Sequence, residues 1–161
     1  MFSTFLSRHA GSALLAALLS AGISSPGFAD SPPAAQAYAA EAYQSDLQQF
    51  KDFSAAHSPA FTALFSQIDA EDEHAVTEAQ FSSMQLQLED MAAAVQKLAL
   101  RSPEAQRVQA ELLTLMDFFA RYLTALKTAD IRIMQQLDAE KALLMQNLNN
   151  AKAQLFAKTA Q

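Results

Sequence analysis

The chain has 161 residues, a net charge of −6 and no cysteine. All three of its glycines lie within the first 27 residues, so the remainder lacks the residue that phosphate-binding loops and most tight hairpins require. The absence of cysteine excludes disulfides, and the acidic balance argues against nucleic acid or anionic lipid as a partner, because binding to either needs clustered Lys and Arg.

The first 29 residues have the organisation of a secretory signal peptide. Arg8 supplies a positive charge, residues 13–23 form a short apolar segment, and small residues follow at Gly27 and Ala29. An uncleaved membrane anchor is the alternative, but the apolar segment is shorter than the roughly 20 residues that a spanning helix needs. We therefore predict that residues 1–29 are a cleaved signal peptide.

Cleavage would release residues 30–161 as one periplasmic or extracellular domain, with no stable membrane span. Its charge is unevenly distributed, because residues 30–90 carry 11 acidic side chains and one basic, whereas residues 91–161 carry 6 acidic and 9 basic. We expect the two halves to attract each other within one bundle. The alternative is an acidic surface reserved for a basic partner.

Apolar residues recur at helical spacing through the first part of this domain and predict a helix over residues 33–57, with a short continuation over 59–68. Pro59 interrupts the pattern directly after Ser58. A proline at this point either kinks one helix or starts a new helix with Ser58 as its N-cap.

The second predicted helix begins between residues 71 and 78, where Thr77 and Gln80 fit a capping box. Its apolar residues follow in alternating steps of three and four, which is the spacing of coiled-coil-like packing. They are Phe81, Met84, Leu88, Met91, Val95 and Leu98. We expect this helix to end at Arg101.

The third helix has the clearest start, because Ser102 fits an N-cap and Pro103 fits the first helical position. Its apolar positions are Val108, Leu112, Leu115, Phe119, Tyr122 and Leu126. The apolar phase slips near residues 126–134. Either residues 127–130 form a tight turn capped by Thr128, or one helix continues to about residue 158.

We favour the turn, since it yields a fourth helix of similar length to the others. Its apolar positions are Met134, Leu137, Leu144, Leu148, Ala151 and Leu155. The prediction is an all-α fold, an up-down bundle of three to four long amphipathic helices with coiled-coil-like packing.

No pattern in the sequence indicates catalysis. The chain lacks a G-x-S-x-G elbow and a cysteine nucleophile. Glu71 and His74 have the Glu-x-x-His spacing of di-iron bundles, but the pair occurs once, and His57 has no acidic residue four positions away. We expect no enzymatic activity, no cofactor and no metal; a metal- or haem-carrying bundle is the rival hypothesis.

The third helix is apolar around most of its circumference, because its polar residues Thr114, Asp117, Arg121 and Thr124 form one narrow stripe. Such a helix is either central in the bundle or leaves an apolar face for a second copy or another protein. The fourth helix has a similar but less pronounced widening of its apolar face. The candidate partner-binding residues are Leu113, Met116, Phe118, Leu123, Leu143 and Met145.

These features predict a protein-interaction or chaperone-like module that binds a protein partner or associates with itself. An immunity- or inhibitor-type partner that uses the acidic N-terminal half is the alternative. The segment Val76-Thr77-Glu78-Ala79-Gln80 resembles the LTxxQ motif of small helical periplasmic stress chaperones. That family carries two such motifs and a basic cradle, whereas this acidic chain has one motif, with Val in first position. The resemblance implies partner binding.

Overall fold

The computed structural model describes residues 34–71 and 77–159, which form four α-helices. These are α1 (Ala34–Glu71), α2 (Glu78–Gln96), α3 (Pro103–Thr128) and α4 (Ile131–Thr159). The described ranges contain no strand, and the predicted all-α bundle is confirmed. The predicted signal peptide, residues 1–29, lies outside the described residues. Neither range holds a helix with the length and hydropathy that crossing a membrane requires.

Helix α3 is the centre of the bundle, because it has the most extensive contacts, chiefly with α4 and α2, and it also packs against α1. It runs antiparallel to α4, because Arg107 contacts Gln154 and Arg121 contacts Glu140. Helix α1 also packs against α2 and α4. All four helices contribute to one apolar core, whose most deeply buried side chains are Phe50, Leu64, Met84, Val95, Val108, Phe118, Leu123, Leu148 and Leu155.

Helix α1 passes through Pro59 without a break. The two segments predicted on either side of this proline are therefore one helix, and Ser58 is not an N-cap. A proline inside a helix leaves the carbonyl four residues earlier without its amide donor. That carbonyl belongs to Ala55, and both Ala55 and Pro59 are exposed, so water can replace the missing hydrogen bond.

Helix α2 ends at Gln96, and the prediction that it continues to Arg101 is wrong. The chain leaves the helix because α1 supplies partners for its backbone. The amide of Ala99 donates to Gln49 Oε1 at 2.9 Å, and the amide of Arg101 donates to Asp46 Oδ1 at 3.0 Å. These long-range hydrogen bonds replace those of a further helical turn.

A tight turn separates α3 from α4, as the sequence predicts. Ala129 takes the left-handed conformation, with φ 51° and ψ 34°, although glycine is the residue that usually ends a helix in this way. Thr128 does not cap the start of α4, because its hydroxyl donates to carbonyls in the last turn of α3. Asp130 caps α4 instead, accepting from the amide of Ile133 at 3.1 Å.

Candidate functional site

Three of the six predicted partner-binding residues belong to the core. Met116, Phe118 and Leu123 are 3%, 1% and 1% exposed. Because α3 is central, the surrounding helices cover most of its wide apolar face. The central-helix explanation therefore holds at these positions, and none of the three is a free surface side chain in the folded chain.

The other three predicted residues lie closer to solvent. Leu113 and Met145 are half-buried and pack against the edge of the core. Leu143 is 57% exposed on α4. The structure does not bring these six residues together into one surface, but it places Leu113 beside Met116 and Leu123 in a groove.

This α2–α3 groove has a volume of about 310 Å³ and is open to the surface. Such a volume is at the lower end of the range for ligand-binding pockets. Its apolar lining consists of Phe81, Leu88 and Ala92 from α2, and Leu113, Met116, Ala120 and Leu123 from α3. Sequence analysis therefore identified most of the apolar α3 wall and missed the α2 wall.

Small side chains explain why the two helices leave a groove. Ala92 and Ala120 both line it, one on each helix. In close helix packing, side chains of one helix fill the spaces between those of the other. A methyl group at these two positions does not fill that space, whereas Leu88 and Met116 are buried and seal the floor.

A lysine lies at one end of the α2–α3 groove. The ammonium of Lys127 is 4.3 Å from the ring centroid of Phe81 and 2.8 Å from Glu78 Oε2. Phe81 and Glu78 are placed by the first turn of α2, where the predicted capping box of Thr77 and Gln80 is confirmed. The start of α2 thus presents an aromatic face and a carboxylate to one cation.

The polar rim of the groove is acidic. Glu89 lies on the α2 wall and Asp117 on the α3 wall, and the described side chains that line the groove include no Lys or Arg. Glu89 accepts a hydrogen bond from Gln85 at 2.9 Å. Asp117 accepts from Arg121 Nε at 3.2 Å and remains 72% exposed. Both carboxylates can therefore reach a ligand.

A second groove, of about 410 Å³, lies between α3 and α4. Ala120 and Thr124 line both grooves, so one exposed strip of α3 separates them. Arg121 and Glu140 both line this α3–α4 groove and form two hydrogen bonds with each other. This pairing raises the pKa of Arg121 and lowers that of Glu140, so the charges of the α3–α4 groove are already matched.

No cluster of described residues has the composition of a metal site. Within residues 34–71 and 77–159, no three His, Cys, Asp or Glu side chains are grouped closely enough to hold a metal ion. His57 packs on Phe53, with ring centroids 4.7 Å apart. The side chain of Glu71 and the whole of His74, the predicted Glu-x-x-His pair, lie outside the described residues.

Comparison with protein-family models, with curated proteins and with solved structures finds no match for this chain. A functional proposal therefore rests on the geometry and chemistry of the α2–α3 groove.

Proposed function

We propose that this chain is a protein-binding module whose α2–α3 groove receives apolar side chains from a partner polypeptide. The observation that carries the proposal is the groove itself. Its walls of Phe81, Leu88 and Leu113 open to the surface, and no other part of the described chain fills the space between them. Binding of an amphipathic segment between two helices is a common mode of peptide recognition.

The size of the groove favours a chaperone-like role over a tight, dedicated complex. Burying one Leu or Phe side chain contributes about 1.5–3 kcal/mol. A groove of about 310 Å³ accommodates one or two such side chains, and association itself costs several kcal/mol. Weak binding to several partially unfolded polypeptides fits this balance better than strong binding to one protein.

A substitution that fills the groove tests the proposal. Ala120→Trp places an indole at an exposed position that lines both grooves. Gln136→Trp places one at an exposed position that lines the α3–α4 groove alone, and Ala139→Trp places one at an exposed position of α4 that lines neither. Light scattering would follow the aggregation of reduced insulin and of heat-unfolded citrate synthase. The wild-type protein, Gln136→Trp and Ala139→Trp should suppress aggregation of both, and Ala120→Trp should suppress neither.

An inhibitor- or immunity-type role is the second candidate, favoured by the charge of α2. The only charged residues of this helix are Glu78, Glu89 and Asp90, and all three are acidic. An inhibitor would bind one basic protein, release it at high salt and leave unrelated clients unprotected. If the wild-type protein leaves both model clients to aggregate, the chaperone-like proposal fails and this second candidate is the one to pursue.

The cellular location of this activity stays a prediction. Fractionation of the native host and N-terminal sequencing of the recovered protein would test the expected cleavage after Ala29. Recovery from the cytoplasm with Met1 intact would contradict it. A visible spectrum and elemental analysis of the same material would test the rival hypothesis of a haem- or metal-carrying bundle.

A further inference from the structure

Building on the proposed function, we infer that the segment bound in the α2–α3 groove is a basic amphipathic helix. One or two of its apolar side chains enter the groove, and a Lys or Arg side chain lies between Glu89 and Asp117. The inference names the class of polypeptide that the groove selects. It rests on the placement of charge around the groove, the position of Lys127 and the length of the groove.

The acidic side chains of the α2–α3 groove are placed so that a cation can lie between them. Glu89 and Asp117 face the groove from opposite walls, and none of the described lining residues is basic. Asp117 shares Arg121 with Glu140, so these three side chains leave one net negative charge beside the groove, and Glu89 adds a second. An acidic ligand would be repelled from both walls, whereas a basic ligand gains complementarity that also selects against other partners.

The chain already binds a cation at this groove. Lys127 places its ammonium over the ring of Phe81, which is part of the apolar lining, and pairs with Glu78 beside it. Lys127 is not one of the lining residues, so this contact shows a cation held at the end of the groove, against its aromatic wall. A ligand lysine near Glu89 would place a second ammonium beside a carboxylate farther along α2.

The length of the groove fits a helical ligand. Its α2 wall extends from Phe81 to Gln96, which corresponds to roughly 22 Å at 1.5 Å per residue. A helix of about 15 residues spans that distance and presents apolar and basic side chains on adjacent positions of one face. The α3–α4 groove lacks this selectivity, because Arg121 and Glu140 already neutralise each other there.

Two synthetic peptides provide the test. One is a fluorescein-labelled 15-residue amphipathic helix of Leu and Lys, and the other has Glu in place of every Lys. Fluorescence anisotropy would measure their binding to the full chain at low salt. The Lys peptide should bind about tenfold more tightly than the Glu peptide, and Ala120→Trp should abolish binding of the Lys peptide while Ala139→Trp leaves it unchanged.

The charge variants isolate the role of the rim. Glu89→Gln combined with Asp117→Asn should weaken the Lys peptide about tenfold and bring the two peptides to similar affinity. Asp90→Asn combined with Asp138→Asn is the matched control, because both residues are exposed and line neither groove. This control makes the same change in net charge and should leave the preference for the Lys peptide intact.

The outcomes separate this inference from the proposed function. Equal binding of both peptides, abolished by Ala120→Trp, would overturn the basic specificity while the groove keeps its binding role. Equal loss of preference in the rim and control variants would also overturn it, because net charge would then explain the result. If neither peptide binds and aggregation is not suppressed, the proposed function itself fails.

Discussion

Replacing Asp46 should remove hydrogen bonds on which the connection between α2 and α3 depends. This carboxylate is fully buried on α1. Its oxygens accept from the amide of Arg101 at 3.0 Å, the amide of Ser102 at 2.7 Å and the hydroxyl of Ser102 at 2.6 Å. Asp46→Ala removes both oxygens at once and leaves these three donors without that acceptor.

The expected cost follows from the burial of those donors. A buried donor left without a partner costs about 1–3 kcal/mol. The two donors of Ser102 are buried, whereas Arg101 is exposed and its amide can turn to water. Two such donors make the expected loss of unfolding free energy for Asp46→Ala about 2–6 kcal/mol, a large part of the roughly 5–15 kcal/mol typical of a domain. Asp46→Asn keeps one acceptor oxygen and should lose about half as much.

Urea unfolding followed by far-UV circular dichroism would measure these values, with the denaturant slope confirming that each variant unfolds in the same manner. Asp52→Ala is the control, because Asp52 is exposed on the same helix and accepts a side-chain hydrogen bond from Gln48. It should change stability by less than about 0.5 kcal/mol. Equal stabilities of Asp46→Ala and Asp52→Ala would refute the role assigned to the buried carboxylate.

Three further substitutions test other features. Ala129→Gly should raise the free energy of unfolding by about 1 kcal/mol, since a left-handed alanine is strained; urea unfolding would show it, and a loss of stability would contradict the turn. Lys152 is 5% exposed and burial lowers its pKa, so Lys152→Met should stabilise the protein by about 1 kcal/mol at neutral pH. The extra stability of Lys152→Met should be full at pH values below the lowered pKa of the folded protein. It should shrink as the pH rises from there towards 10.5, the ordinary pKa of lysine. A stability difference that does not change with pH would show that the buried charge is not its cause. Arg121→Gln should return the lowered pKa of Glu140 to its ordinary range, as an NMR titration would show. In the wild-type protein the ion pair gives a small stabilisation that is lost as the pH falls through the folded pKa of Glu140, and the variant should lack this pH dependence.

The helices could be predicted because their signals are local. The apolar spacing, the capping box at Thr77 and the Ser102-Pro103 start all act within a few residues, and each is present in the structure. The end of α2 could not be predicted in this way. It depends on Asp46 and Gln49, which lie at least 50 residues from the amides they bind, and sequence periodicity carries no information about such contacts.

The sequence predicted residues on only one wall of the candidate groove, the α3 wall. Leu113, Met116 and Leu123 were identified because α3 is apolar well beyond a single seam. On α2, Phe81 and Leu88 occupy ordinary seam positions, and the groove arises because Ala92 and Ala120 line opposite walls. Periodicity identifies the face of a helix that points inward, but it does not identify which inward side chains meet across two helices.

The support that α1 gives to residues 97–102 also has a kinetic consequence. Helices α2, α3 and α4 follow one another through short connections, so the contacts next to each connection close small loops. The connection before Ser102 acquires its acceptors only when α1 arrives from more than 50 residues away along the chain. Contacts between distant segments form more slowly than local ones. Docking of α1 should therefore be the slow step of refolding, preceded by association of the other three helices.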